Sequence, residues 1–181
     1  NNNDRIKINK LKKNQVGIIY TQLFNYKNKG IEKTKKVINS RLHSLGSNVK
    51  KEIITDHNEN SIALSINTLI KYKCNPILIY GASAIVDRFD VVPMGIKKCG
   101  GKIKHFGMPV DPGNLILLGK KNKTKIIGIP SCAKSPKLNG FDWVLWRILS
   151  GLEIDSKDIQ VLGVGGLLKE IYSRPQPRED N

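Results

Sequence analysis

The hydrophobic and polar positions of this chain form short runs that predict strands and helices in regular alternation. Apolar runs short enough for buried strands lie at 16–20, 49–55, 77–80 and 125–129. Between and after them, apolar residues recur with helical spacing, which predicts helices over 31–45, 62–70, 91–99 and 138–149. This alternation predicts an α/β fold, a three-layer α/β/α sandwich with a mostly parallel central sheet.

The pattern makes further predictions for the middle of the chain and for the last helix. The runs 102–110 and 115–118 predict two more strands and an antiparallel excursion, with an exposed turn at 120–124. Residues 56–59 should cap the second helix. The helix at 138–149 is expected to bury Leu138, Phe141, Leu145 and Leu149.

The length and composition indicate one globular domain. The chain has 181 residues, of which 39% are hydrophobic and 25% charged. We expect the principal domain at 15–152, after a flexible lead or remnant of a preceding domain at 1–14. Residues 153–181 should form an extension and linker toward an absent domain. No apolar run approaches the roughly 20 residues that span a bilayer, so no membrane partner is expected and the cytoplasm is the default location.

The chain is strongly basic, with a net charge of +16. Such a charge is typical of nucleic-acid-binding proteins, but no basic motif is interleaved with aromatic residues. We therefore interpret the charge as compositional and do not expect nucleic acid as a partner. A general attraction for phosphorylated ligands follows in either case.

Cysteines and histidines give no sign of a metal site or a triad. The three cysteines lie far apart, without a Cys-x-x-Cys pair or clustered histidines, so we predict no metal ligands and no disulfide framework. His57 and His105 have no acidic or nucleophilic partner that the sequence can identify, and we predict no catalytic triad from them.

Two loops predict an anion site. Small residues and two carboxylates at 81–90 follow the strand 77–80 and precede a helix, and a loop of similar design at 130–136 follows the strand 125–129. Small side chains let a ligand approach backbone N–H groups, and a helix N-terminus adds partial positive charge. Because such loops meet at the carboxyl ends of parallel strands, they predict a site for a phosphorylated small molecule.

These segments also carry a resemblance to a known family. The runs 81–92, 100–113 and 127–130 follow the order found in the molybdopterin-binding domain family, which includes molybdopterin molybdotransferases and molybdopterin adenylyltransferases. The chain is most similar to bacterial two-domain proteins in which this domain precedes a nucleotidyltransferase-like domain. The runs that resemble those proteins are Val110–Leu115, Ser135–Trp143 and Ser173–Glu179.

The resemblance implies that the chain binds molybdopterin or the molybdenum cofactor during cofactor biosynthesis or maturation. It also implies a nucleotidyltransferase domain as partner in the full-length protein, and a homo-oligomer is compatible with it. The residues expected to line the pocket are Gly81, Ala82, Ser83, Ala84, Asp87, Asp90, Pro112, Gly113, Asn114, Pro130, Ser131, Cys132, Ala133, Lys134, Ser135 and Lys137.

Individual residues in this set have two interpretations. Asp90 matches the aspartate that the molybdenum-inserting enzymes use, and is the candidate catalytic residue, but it could equally cap the helix that starts near Val91. Asp87 could share a ligand contact with Asp90. Arg88 could pair with one of these carboxylates, but a solvated loop charge is the favoured interpretation. Cys132 could contact molybdenum or sulfur, although most lone cysteines are inert fillers.

Departures from the family pattern favour binding over turnover. Asp111 and Asn114 stand where molybdenum-inserting enzymes usually have lysines, and Pro130-Ser-Cys-Ala replaces their Pro-Gly-Asn-Pro. We therefore expect a binding protein. A molybdate-inserting transferase that uses Mg²⁺ is the alternative, and a basic nucleic-acid-binding module is a more distant one.

Overall fold

A computed structural model of the chain describes residues 8–23 and 30–166. Its sheet has the strand order β2-β1-β3-β6-β5-β4. The strands are β1 (Gln15–Gln22), β2 (Asn48–Asp56), β3 (Ile77–Tyr80), β4 (Lys102–Phe106), β5 (Leu117–Lys121) and β6 (Thr124–Ile129). Strands β2, β1, β3 and β6 pair in parallel, whereas β5 runs antiparallel to both of its neighbours. The mostly parallel sheet with one antiparallel excursion was predicted.

Helices cover both faces of this sheet. They are α1 (Gly30–Ser44), α2 (Glu59–Lys71), α3 (Val91–Lys98), α4 (Gly140–Leu149) and α5 (Ser156–Gln160), with 3₁₀ turns at Ser131–Lys134 and Val161–Gly163. Helices α1 and α4 bury Ile38, Leu42 and Phe141 against one face. Helices α2 and α3 bury Ile66 and Ile96 against the other. The predicted three-layer α/β/α sandwich is therefore confirmed.

The antiparallel part of the sheet differs in its boundaries from the prediction. Strand β4 ends at Phe106 and not at residue 110, because Gly107 turns the chain with a φ of +82°. Strand β5 begins at Leu117 and continues to Lys121. The turn to β6 is consequently confined to two residues, of which Asn122 has a φ of +52°.

The start of α4 also corrects a prediction. The helix begins at Gly140, since Asn139 forms its N-cap: the Phe141 N–H donates to Asn139 Oδ1 at 3.1 Å. Asp142 completes a capping box by accepting the Asn139 N–H at 2.9 Å. Leu138 therefore lies before the helix and is 50% exposed, contrary to the expected burial. The other three predicted apolar positions are buried.

Segments on either side of the sandwich pack against it. The Lys12 N–H donates to Leu149 O at 3.0 Å, and the Asn14 side chain donates to the same carbonyl at 3.0 Å. Beyond α4, Ile159 and Leu162 lie in the core that α1 and α4 share. Residues 1–7 of the predicted lead at 1–14, residues 24–29 and the run Ser173–Glu179 lie outside the described residues.

Within the described ranges, no helix is both long and apolar enough to cross a membrane.

Candidate functional site

The residues predicted to line the pocket lie in three loops, 81–90, 112–114 and 130–137, which meet at one edge of the sheet. Tyr80 at the end of β3 pairs with Ile129 at the end of β6, so Gly81 and Pro130 begin neighbouring loops. The connection from β4 to β5, which contains residues 112–114, leaves and re-enters the sheet at the same edge. Strand order reverses between β1 and β3, and ligands of open α/β sheets bind at such a switch point.

A chain of two hydroxyls and an imidazole lies at this switch point. Thr21, fully buried at the end of β1, accepts the Ala82 N–H at 2.8 Å. Its Oγ1 lies 2.7 Å from His57 Nδ1, and His57 Nε2 lies 3.1 Å from Ser83 Oγ. We call Thr21, His57 and Ser83 the hydroxyl–imidazole chain. It connects the ends of β1, β2 and β3 and ends on the exposed hydroxyl of Ser83.

The electrostatics of this chain centre on His57. Burial lowers the pKa of His57 below its usual value, while the negative charge of Asp90 opposes the shift. Since Thr21 Oγ1 already accepts the Ala82 N–H, its own proton can be donated to Nδ1, which leaves an Nε2–H to donate to Ser83. No partner for His57 could be predicted from the sequence, because Thr21 and Ser83 lie at the ends of other strands.

Asp90 organises the 81–90 loop. It occupies the N-cap position of α3 by its backbone conformation, but its carboxylate makes no capping hydrogen bond. Instead, Asp90 Oδ2 accepts the N–H groups of Val86 at 2.7 Å and Asp87 at 3.0 Å. Asp90 therefore stands at the N-cap position but does not cap the helix with its side chain. Asp87 has a similar local role, since its Oδ1 accepts the Phe89 N–H at 2.7 Å.

These internal bonds leave part of the loop available to a ligand. The N–H groups of Ala82, Val86 and Asp87 are already used. Those of Ser83 and Ala84, both exposed residues, donate to no acceptor in the described part of the chain. Gly81 permits the tight turn before them, because a Cβ there would lie 2.6 Å from Ser83 O. The loop thus presents consecutive backbone donors beside the Ser83 hydroxyl.

Arg41 of α1 positions the loop that follows β6. Its side chain is 9% exposed and donates to three carbonyls of this loop: Ala133 O at 2.7 Å, Ser135 O at 2.6 Å and Lys137 O at 3.1 Å. Its Nε donates to Asp142 Oδ1 at 2.7 Å. Sequence reasoning missed Arg41, because an arginine in a Lys-rich helix carries no signal of contacts to residues so far along the chain.

The 112–114 loop packs directly against the start of α4. The Gly140 N–H donates to Pro112 O at 2.7 Å. Gly113 has a φ of +131°, and a Cβ there would lie 2.7 Å from Gly140 Cα. Both the conformation and the close approach of the two backbones therefore require glycine. This contact joins the 112–114 loop to α4, the helix that follows the 130–137 loop.

The predicted residues fall into three classes by exposure. The exposed residues are Ser83, Ala84, Asp87, Asn114, Ser131, Lys134 and Lys137. Half-buried positions are Gly81, Ala82, Asp90, Pro112, Cys132 and Ser135. Buried ones are Gly113, Pro130 and Ala133. Among the described residues, no group of three or more His, Cys, Asp or Glu side chains is placed to hold a metal ion.

Comparison with solved structures identifies this architecture. The molybdopterin biosynthesis MoeA protein from Pyrococcus horikosii matches with a TM-score of 0.58 and 18% identity. A molybdenum cofactor biosynthesis protein B matches with a TM-score of 0.53 and 13% identity. The chain has the fold of these two molybdenum cofactor biosynthesis proteins. No protein-family model and no curated protein matches the sequence.

The two matches differ in how much of each neighbour is covered. The alignment with the MoeA protein covers 76% of this chain but only 35% of that one. The alignment with protein B covers 77% of this chain and 94% of its neighbour. The chain thus spans about a third of the first neighbour's length. The predicted likeness to two-domain proteins with a nucleotidyltransferase stays a prediction.

Proposed function

We propose that the chain binds molybdopterin or the molybdenum cofactor at the carboxyl edge of its sheet, as a step in cofactor biosynthesis or maturation. The observation that carries this proposal is the convergence of the three predicted loops at a single edge, beside the switch point of strand order. The likeness of fold to molybdenum cofactor biosynthesis proteins supports the identity of the ligand.

The exposed groups at this edge fit a ligand with a phosphate and a pterin. The N–H groups of Ser83 and Ala84, with the Ser83 hydroxyl, suit phosphate oxygens. Lys134 and Lys137 follow the end of the neighbouring strand and supply positive charge. The pterin ring carries both donors and acceptors. Asp87 and Asn114 are exposed polar side chains that can pair with them.

Binding is favoured over molybdate transfer by the state of Asp90. One of its two carboxylate oxygens is already fixed by two backbone N–H groups. A carboxylate committed to the shape of its own loop is suited to positioning a ligand. Its other oxygen accepts no hydrogen bond within the described residues, so insertion of molybdate with Mg²⁺ is the alternative to be tested. In a longer protein, the bound pterin would be presented to a nucleotidyltransferase partner.

Calorimetric titration with molybdopterin and with molybdenum cofactor, at moderate salt, tests the proposal. We expect saturable 1:1 binding that weakens by about ten-fold or more in the double variant Lys134→Ala/Lys137→Ala. The double variant Lys71→Ala/Lys123→Ala removes the same charge at the amino ends of the parallel strands and should bind as the wild type does. Equal weakening in both variants, or no binding to the wild type, would overturn the proposal.

Two substitutions of Asp90 separate its roles. Asp90→Asn keeps an oxygen for the Val86 and Asp87 N–H groups, whereas Asp90→Ala removes it. If Asp90 only shapes the loop, the asparagine variant should bind like the wild type and the alanine variant should bind weakly. If the second oxygen contacts the ligand or the metal, both variants should bind weakly. Formation of molybdenum cofactor from molybdopterin, molybdate and Mg²⁺ would replace the binding function with the transferase alternative.

A further inference from the structure

A second concave surface lies between α3 and the edge strand β4, next to the 81–90 loop. It is a groove of about 480 Å³. Cavities of roughly 300–1,000 Å³ are typical of small-molecule sites. The charged and aromatic side chains that line it are Arg88, Lys97, Lys102, Lys104, His105 and Phe106. We call this surface the basic groove.

The positive charges of the basic groove lack an ion-pair partner in the part of the chain that the structure describes. No carboxylate lines it, and Arg88, Lys97, Lys102 and Lys104 form no ion pair within the described residues. A few other lysines do have acidic partners. Lys98, beside Lys97 on the same helix, approaches Glu59 to 3.9 Å, and Lys120 and Lys125 share Glu153. Because like charges that converge repel one another, the groove favours an anion.

Protection of an edge strand does not account for the whole cluster. Lysines on an exposed edge prevent strand-to-strand association, which would explain Lys102 and Lys104 on β4. It would not explain Lys97 on α3, or Arg88 in the loop before that helix. Four cations from three separate elements converge on one concave surface, and this arrangement is what binding of an anion with several charges requires.

Aromatic surface lies beside these charges. The ring of Phe89 is 76% exposed, and Lys97 Nζ lies 5.0 Å from its centroid. Phe106 lines the groove directly. An exposed aromatic ring next to cations is suited to stacking on a planar base while the cations hold phosphates.

From these observations we propose that the basic groove binds a nucleoside polyphosphate, with the phosphate chain on the cations and the base against Phe89. This is a second ligand at a second surface, and it does not depend on the pterin proposal. Both surfaces border the 81–90 loop: Ser83 belongs to the first surface and Arg88 lines the second.

Titration with ATP, CTP and tripolyphosphate at about 0.15 M salt tests this proposal. The double variant Lys102→Glu/Lys104→Glu should lose about ten-fold or more in affinity for both nucleotides. The matched control is Lys50→Glu/Lys51→Glu, which makes the same charge change on β2, the opposite edge strand, where Lys51 also lies over an aromatic ring at 5.1 Å from the Tyr72 centroid. The control should bind as the wild type does. Thermal melting of both double variants, followed by circular dichroism, shows whether they remain folded. The single variant Lys97→Ala tests the same site with a smaller change.

The base contact has its own test. Phe89→Ala should weaken binding of the nucleotides and leave tripolyphosphate unchanged. If tripolyphosphate binds as tightly as the nucleotides and Phe89→Ala has no effect, the nucleotide assignment is wrong. If both charge variants lose affinity equally, or if the wild type shows no saturation, the groove is not a site. Tighter binding of a single-stranded oligonucleotide, with a steep dependence on salt, would overturn the nucleotide in favour of nucleic acid.

Discussion

Arg41 Nε lies 2.7 Å from Asp142 Oδ1, and this buried ion pair connects α1 to α4 beneath the loop that follows β6. The guanidinium also donates to Ala133, Ser135 and Lys137 carbonyls. A planar group with donors in several directions can make such contacts at once, whereas an ammonium cannot. The shape of the 131–137 loop, and with it the positions of Lys134 and Lys137, thus depends on a residue that lies almost a hundred positions earlier.

We expect Arg41→Met to lower the free energy of unfolding by roughly 3–5 kcal/mol, since it leaves a buried carboxylate without its cation. Arg41→Lys should restore part of this loss. Urea unfolding, monitored by the fluorescence of Trp143 and Trp146, measures the free energy of unfolding of each variant. The control Arg147→Met changes a half-buried arginine whose side chain donates to Trp143 O, and should cost within about 1 kcal/mol. Equal costs at both positions would contradict the role assigned to Arg41.

His57 predicts a dependence of stability on pH. Burial lowers its pKa in the folded state below the usual 6.5. Between the lowered pKa and about 6.5, the unfolded state binds more protons than the folded state, so stability rises with pH across this window. This contribution is complete above the unfolded value and is lost as the pH falls through the folded one.

Removing the imidazole should remove this dependence. His57→Gln keeps a polar side chain near Thr21 and Ser83 but does not titrate. Free energies of unfolding measured between pH 5 and pH 8 should fall more steeply below about 6.5 in the wild type than in this variant. Asp90 is the charged group that opposes the shift, so Asp90→Asn should steepen the fall. Parallel curves for wild type and His57→Gln would show that the imidazole does not titrate as inferred.

The parts of the site that the sequence could predict are those set by local pattern. Residues 81–90 and 130–136 follow apolar runs, and parallel strands end at a common edge, so the convergence of these loops follows from the fold class. The strand Ile77–Tyr80 was predicted at its observed bounds. Small residues and turn residues were sufficient to predict the loops themselves.

Contacts between distant segments account for what the sequence could not predict. His57 meets Thr21 and Ser83 only because three strand ends adjoin, and Arg41 reaches Asp142 across the layer that α1 and α4 form. Asp90 was predicted to be a helix cap or a site residue, and its carboxylate accepts N–H groups of its own loop. Arg88 was interpreted as a solvated loop charge, and it is an exposed residue that lines the basic groove. Period and propensity carry no information about such choices.

Gly113 and Gly107 provide a matched pair of substitutions. Both have positive φ, of +131° and +82°, so alanine is strained at either position. A Cβ at Gly107 would lie 3.7 Å from the nearest atom, whereas one at Gly113 would lie 2.7 Å from the Gly140 backbone. We expect Gly107→Ala to cost about 1–2 kcal/mol in the free energy of unfolding. Gly113→Ala should cost a further 1–3 kcal/mol or so.

The same pair tests whether the 112–114 loop belongs to the site. Gly113→Ala must separate that loop from α4, so it should weaken pterin binding beyond its effect on stability, while Gly107→Ala should not. Unfolding curves and calorimetric titration of both variants measure the two effects. If the two alanines cost the same in stability, the close approach of the Gly113 and Gly140 backbones is not a constraint.

Cysteine reactivity reports on the loop after β6. Cys74 is 1% exposed and burial raises the pKa of its thiol, while Cys99 is 7% exposed and donates from Sγ to Ile96 O at 3.1 Å. Cys132 is half-buried in the 131–134 turn, between exposed Ser131 and Lys134. Because the thiolate is the reactive form and needs access to the reagent, we expect iodoacetamide to modify Cys132 first in the folded protein.

Peptide mapping by mass spectrometry after short exposure identifies the modified cysteine, with Cys132→Ser as the control that should leave the folded protein nearly unlabelled. Molybdopterin bound at the carboxyl edge should slow modification of Cys132 and leave the slow labelling of Cys74 and Cys99 unchanged. A nucleotide in the basic groove should not slow it, since that surface lies beside β4 and not beside the end of β6. If Cys74 is labelled as fast as Cys132, the sandwich opens locally on the timescale of the reaction. If labelling of Cys132 is unchanged in a saturated pterin complex, the pterin is bound away from this loop.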